Sequence, residues 1–301
     1  MLVATDIAEE EHRRGLAWIV AAYTTALLAA VAIGWDVHEA HPIVVAVVAD
    51  LVATAVVFAF SIALDNSSIY DPYWSVAPIP IALYWWWATP ERMAVVSGRQ
   101  VLTLALILLW ATRLTANCLG RWRGLSHEDF RYVEIRHRTG RLYWPVSFVA
   151  IHLLPTAWVF LGLLPLYPAL SSAGRPFGAL DALGVGVTIA AVTVEAAADR
   201  QLRTFLRARA NPAELLDTGL WAWSRHPNYF GEVLFWWGLF LIGFGASPSW
   251  GWSVIGPLSI TLLFVLASVP WMDRRMASRH PGWKERMQQT SALVPWPPRS
   301  S

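Results

Sequence analysis

The chain has 301 residues, 56% of them apolar and 15% charged, with 19 Trp and a formal net charge of +2. Apolar runs of roughly 16 to 25 residues recur along it, which is the pattern of membrane spans and excludes an ordinary soluble globule. The only cysteine, Cys118, excludes an intramolecular disulfide and Cys-rich metal sites, and so small a net charge gives no ground for a nucleic-acid partner.

Eight spans are predicted: Leu16–Ile33, Ile43–Leu64, Tyr73–Ala88, Arg99–Asn117, Trp144–Pro168, Ala179–Asp199, Tyr229–Gly245 and Gly251–Trp271. Each approaches the ~20 residues that a bilayer requires; the third is the shortest and carries Pro78 and Pro80. The runs are continuous and do not alternate, so the expected fold class is all-α, a polytopic helix bundle rather than a barrel. The leader holds Asp6, Glu9, Glu10 and Glu11 against Arg13 and Arg14, the wrong sign for a secretory signal, so the first run is expected to be retained. With the N-terminus inside, 19 of the 23 Lys and Arg fall in inner segments, 3 in outer ones, and Arg113 within a span. That split predicts both termini on the cytoplasmic side.

The first span has no internal charge and reads as a plain anchor. The following outer loop contains Asp36, His38, Glu39 and His41, all ligand types, but the catalytic spacing of a metal helix is missing. A solvated polar loop is the expectation, with no metal. Asp65 and Asp71 lie between the second and third spans. Asp71 precedes Pro72 and can cap the next helix. Alternatively Asp71, with Tyr70 or Tyr73, offers a hydrogen bond to a substrate, because a buried carboxyl can hold its proton.

In the fourth span Arg113, Asn117 and Arg121 form a stripe at four-residue spacing. The segment from Arg121 to Tyr132 mixes bases, acids and aromatics, as an amphipathic interfacial helix or a phosphate-binding surface would. Glu195, Asp199, Arg203 and Arg207 repeat the spacing at the end of the sixth span, with Glu195 inside the apolar run. Asn211 and Pro212 then end the helix.

The stretch from Thr218 to Phe240 carries the strongest signal. Gly219 permits a turn, Ser224 is the expected N-cap, and Pro227 suits a first helical turn whose N–H groups can face an anion. Arg225 and His226 add charge and a donor. Asn228 and Glu232 share a face, and Gly231 allows close approach. Charged and polar groups at the start of an apolar helix are expensive and mark a site. Arg274, Arg275 and Arg279 in the tail can close over a phosphate or simply fix topology.

The string Gly219 to Gly238, with the upstream Glu195 to Leu202, resembles the membrane reductases typified by steroid 5-alpha-reductase, and in particular their bacterial relatives. The resemblance runs from about Asp65 to Pro295. It is weaker around Tyr70–Trp74, Leu109–Leu114, Glu128–Tyr132 and Thr290–Pro295. It implies a seven-helix core with one extra N-terminal helix, which divides the chain into residues 1–42 and a catalytic domain over 43–301. It implies an NADPH site on the cytoplasmic side of a bacterial-type inner membrane, and a lipophilic substrate reached from the bilayer. On that basis Asp71, Tyr70 and Glu232 are the catalytic candidates. The cofactor candidates are Arg113, Asn117, Arg121, Tyr132, Glu195, Asp199, Arg203, Arg207, Arg225, His226, Asn228, Tyr229, Glu232, Arg274, Arg275 and Arg279. Isoprenylcysteine carboxyl methyltransferases share the fold but use S-adenosylmethionine; the stretch from Asn228 to Glu232 and the bases between Arg121 and Arg141 favour the reductase. A lipid-binding protein without catalysis is the third reading.

Overall fold

A computed structural model describes residues 2–88, 97–122, 124–172 and 174–298. The described residues form a helical bundle without strands. Among the described residues seven helices are long and apolar enough to cross a membrane: Glu9–Asp36, Pro42–Ala63, Gly98–Leu119, Phe130–Leu163, Ala179–Ala208, Pro227–Ala246 and Pro248–Arg279. The chain is an integral, multi-pass membrane protein. The predicted third span is shorter than expected. It forms α3 (Tyr73–Val76) and α4 (Pro78–Trp87), because Pro78 and Pro80 remove backbone donors. The ten residues of α4 reach ~15 Å, about half of a hydrocarbon core.

The helices divide between two compact units, Met1–Val95 with Ile107–Phe160, and Val96–Leu106 with Leu161–Ser301. In the first unit α1 (Leu2–Asp36) packs on α2 (Pro42–Ala63). Ala22 and Ala26 are buried there with Ala53 and Val57, small side chains that let helix backbones approach in lipid. The ring Nδ1 of His41 accepts from the Ile43 N–H at 3.3 Å and so caps α2, while His38 bonds the Trp35 carbonyl. Buried hydroxyls tie the interior together. Thr156 bonds Thr54 at 2.9 Å and Tyr70 at 2.8 Å, and Ser61 bonds His152 at 3.1 Å. His152 lies in a wide π-helical turn (Phe148–Leu153) between α7 (Tyr143–Ser147) and α8 (Leu154–Leu163).

The segment after α5 (Gly98–Leu119) is a turn and not an interfacial helix, one of the two readings that the sequence left open from Arg121 onward. Gly124, at φ +92°, passes close to the Glu11 backbone. Asn66 Nδ2 donates to the Leu125 and His127 carbonyls, so this segment pairs with the loop after α2 instead of coiling on itself. Helix α6 (Phe130–Thr139) begins only at its cap, where Asp129 Oδ1 accepts from the Arg131 N–H at 2.9 Å.

In the second unit α9 (Leu166–Ser171) and α10 (Ala179–Ala208) pack on α12 (Pro227–Ala246), which follows the single turn α11 (Leu220–Trp223). Gly184, Gly231 and Gly238 let α10 and α12 touch backbone to backbone: a Cβ on Gly231 would lie 2.9 Å from the Ala191 oxygen. Arg99 and Asp181 form a buried two-pronged ion pair at 2.6 and 3.0 Å. The chain continues through α13 (Ile255–Leu263), α14 (Val269–Arg279) and α15 (Trp283–Gln289). The last described segment returns to the start of α12. Ser291 bridges Ser224 in parallel, Arg225 N–H donates to the Ser291 carbonyl at 2.8 Å, and Trp296 N–H donates to the Trp223 carbonyl at 2.9 Å.

Candidate functional site

The predicted site residues fall in both units. In the second unit they gather around the first turns of α12. Gly219 holds φ +60°, where a Cβ would collide with the Gln201 amide, and Gln201 Oε1 accepts from the Leu220 N–H at 3.0 Å. Trp221 Nε1 donates to the Ala198 carbonyl at 3.0 Å. These contacts fix the short α11 against α10, beside Asp199. Glu195 and Asp199 are buried on α10, while Arg203 is half-buried and Arg207 exposed, so the acidic half of the stripe lies inside the fold and the basic half at its edge.

Ser224 is not the N-cap of α12. Its Oγ donates to the Leu293 carbonyl at 2.7 Å and accepts from the His226 N–H at 3.1 Å. His226 takes the cap position at φ −138° and ψ 60°, and no described side chain caps the helix. Pro227 stands in the first turn as predicted, and the Phe230 N–H already donates to the His226 carbonyl at 3.1 Å. Gly231 sets its neighbour Glu232 close to α10, since a Cβ there would meet Glu195 Cβ at 2.9 Å. The buried Glu232 is held by Trp236, whose Nε1 donates to Oε1 at 2.8 Å. Asn228 and Tyr229 are half-buried on the same turn.

Arg225 differs from expectation. Its guanidinium is buried and donates to Asp273 Oδ1 and Oδ2 at 3.2 and 2.7 Å, to the Thr290 carbonyl at 2.5 Å and to the Met287 carbonyl at 3.1 Å. A buried cation requires such partners, and they occupy the donors that a phosphate would need. Arg225 thus fastens the carboxy-terminal segment to the start of α12. His226 Nε2 bonds Asp273 Oδ1 at 3.0 Å, and its ring stacks on Tyr229 with centroids 5.2 Å apart. Arg286, also buried, donates to the Trp221 carbonyl, and burial lowers its pKa from the usual guanidinium value. Arg274 and Arg279 are exposed and Arg275 half-buried on α14.

In the first unit Asp71 ends a tight turn (Ser67–Tyr70) and does not cap the next helix; Pro72 occupies that position. Asp71 Oδ1 accepts from the Tyr132 hydroxyl at 2.5 Å, and Arg131 Nη2 lies 3.8 Å away. Burial pushes the Asp71 carboxyl up to about 6, against the pull of Arg131. The tyrosines expected beside Asp71 bond elsewhere. Tyr70 shares a hydrogen bond with Thr156, and Tyr73 donates to Asp50 at 3.0 Å. Burial raises the Tyr70 phenol above its ordinary range. Arg121 Nη2 donates to Asn117 Oδ1 at 3.3 Å, in line with their i, i+4 spacing, and Arg113 is half-buried one turn before.

Sequence reading missed Asp273 and Asp50. Asp273 stands among Trp271, Arg274 and Arg275, where it reads as one half of a surface charge pair. Its burial follows from the return of the carboxy-terminal segment, which no periodicity announces. Asp50 gave a plainer signal, a lone acid in an otherwise apolar run.

The family described as "Protein of unknown function (DUF1295)" matches residues 57–290, from the middle of α2 through α15, leaving α1 outside. The "Uncharacterized protein C594.04c" of Schizosaccharomyces pombe is 27% identical over 283 residues, covering 86% of this chain and 81% of the relative. No solved structure gives a significant match. A match over most of the chain, which includes α5, α10, α12 and the loop bearing Asp71, shows that the protein belongs to the DUF1295 family, a steroid 5-alpha-reductase-like family.

Proposed function

We propose that the protein is an NADPH-dependent membrane reductase that saturates a C=C bond conjugated to a carbonyl in a lipid or steroid-like substrate. The observation that carries this reading is the start of α12. There a helix N-terminus that no described side chain caps, Asn228, and the buried, Trp236-held Glu232 lie within two turns. Those groups fit a dinucleotide: the positive end of the helix for a phosphate, and an amide with a carboxylate for the nicotinamide carboxamide. The bases at the edge of the unit, Arg203, Arg207, Arg274, Arg275 and Arg279, supply further positive charge for phosphates, a task that Arg225 does not share. Arg113, Asn117 and Arg121 remain proposed cofactor contacts of the first unit.

NADPH, when bound, would supply hydride to the carbon β to the carbonyl, and a proton from solvent would complete the α carbon. Asp71 is the proposed donor toward the carbonyl oxygen. A carboxyl pushed up to about 6 carries its proton in mildly acidic solution, and it stabilises enolate charge by a hydrogen bond that strengthens as the charge develops. The Tyr132 hydroxyl fixes the other side of that carboxyl. The distribution of basic residues supports cofactor entry from the cytoplasmic face, and the lipid-embedded helices suit a substrate that partitions into the bilayer.

The test is a thermal-stability titration of the purified protein with NADPH, NADH and S-adenosylmethionine. A ligand that binds only the folded state stabilises it by ~2.7 kcal/mol at a hundredfold excess over Kd. Stabilisation by NADPH is expected; stabilisation by S-adenosylmethionine alone would overturn the reading in favour of methyl transfer. A Glu232→Gln variant keeps the Trp236 acceptor, so it is expected to fold and to lose turnover. Wild-type turnover in that variant would sink the assignment of Glu232.

A further inference from the structure

Asp273 is the hub of the cluster at the start of α12. It is buried and accepts from Arg225 Nε and Nη2 and from Trp283 Nε1, and it bonds His226 Nε2 at 3.0 Å. A carboxylate gripped by a guanidinium is an acceptor only, so the proton in the His226 contact sits on Nε2. A neutral imidazole carries one N–H, and Nδ1 is then the acceptor. The ring plane is fixed as well, because Tyr229 stacks on it at 10° between planes and the two-pronged Arg225 contact keeps the carboxylate from rotating. The charge of Asp273 is already matched by Arg225. A neutral imidazole so held presents Nδ1 as its hydrogen-bond acceptor.

We propose that Asp273 is a positioning residue that locks His226 in the Nε2–H tautomer and so makes Nδ1 the acceptor for a ligand hydroxyl, the ribose hydroxyl of a nucleotide cofactor. The choice of ligand rests on the nucleotide reading above; the tautomer does not. The test uses the full chain in detergent with 15N-labelled histidine at mildly alkaline pH, and the His226 signals are assigned by their loss in His226→Gln. The wild-type spectrum is expected to show a protonated Nε2 and an unprotonated Nδ1. Asp273→Asn is expected to give mixed tautomers and to weaken NADPH binding by up to about tenfold, the range of one hydrogen bond, with partial rescue by Asp273→Glu. A wild-type spectrum with the proton on Nδ1 would overturn the lock even if Asp273→Asn fails to fold. An unchanged tautomer in a folded Asp273→Asn would do the same. Unaltered NADPH affinity in His226→Gln would overturn the hydroxyl contact. Absence of NADPH binding to the wild type would fail the nucleotide reading alone, and the spectra would still judge the lock.

Discussion

Gly231 gives the sharpest check on how the α12 site is built. Replacing it by Ala places a Cβ 2.9 Å from the Ala191 oxygen, 2.9 Å from Glu195 Cβ and 3.0 Å from the Glu195 nitrogen. Two of the three are backbone atoms of α10, so no side-chain rotation relieves the contact, and the helices must part by several tenths of an ångström. Overpacking of this kind costs ~1–3 kcal/mol, against which the helix propensity of Ala over Gly returns ~0.8–1 kcal/mol. The net expectation for Gly231→Ala is a loss of up to ~2 kcal/mol in stability, together with weaker cofactor binding because Glu232 moves with the helix. The control is Gly186→Ala on α10, where a Cβ meets nothing within 4 Å; there the propensity gain stands alone and the protein should be no less stable than wild type. Both variants are compared with wild type by reversible unfolding in detergent. Equal stability of the two would refute the claim that α10 and α12 are in backbone contact at Gly231.

Two further outcomes follow from the same structure. If the Asp71 proton serves turnover, activity holds below about pH 6 and falls as pH rises through that value, since the carboxyl then loses its proton; Asp71→Asn should remove this limb from the pH–rate profile, and an unchanged limb would exclude Asp71 as its source. Removing Arg99 strands the Asp181 carboxylate in a buried site, at a cost of ~3–5 kcal/mol, whereas adding Asp181→Ala to Arg99→Ala should recover part of the loss; strict additivity in a double-mutant cycle would show the pair to be uncoupled.

The class of the molecule was legible in the chain because a bilayer imposes length and apolarity locally, on each helix in turn. That is why Pro42–Ala63, Gly98–Leu119 and Pro227–Ala246 lie close to their predicted bounds, and why Gly219, Pro227 and Gly231 occupy the turn, first-turn and contact positions that their covalent chemistry suits. Proline also left its mark in advance, at the helix that stays short after Tyr73. What the sequence could not decide was pairing between distant segments. Asp71 bonds Tyr132, 61 positions away, rather than its neighbours Tyr70 and Tyr73. Arg225 meets Asp273 and the carbonyls of Met287 and Thr290, and this turned an expected phosphate contact into a fastening of the carboxy-terminal segment. A polar side chain buried in an apolar bundle must find a partner, but which partner depends on how the helices pack, and only the tertiary structure carries that information.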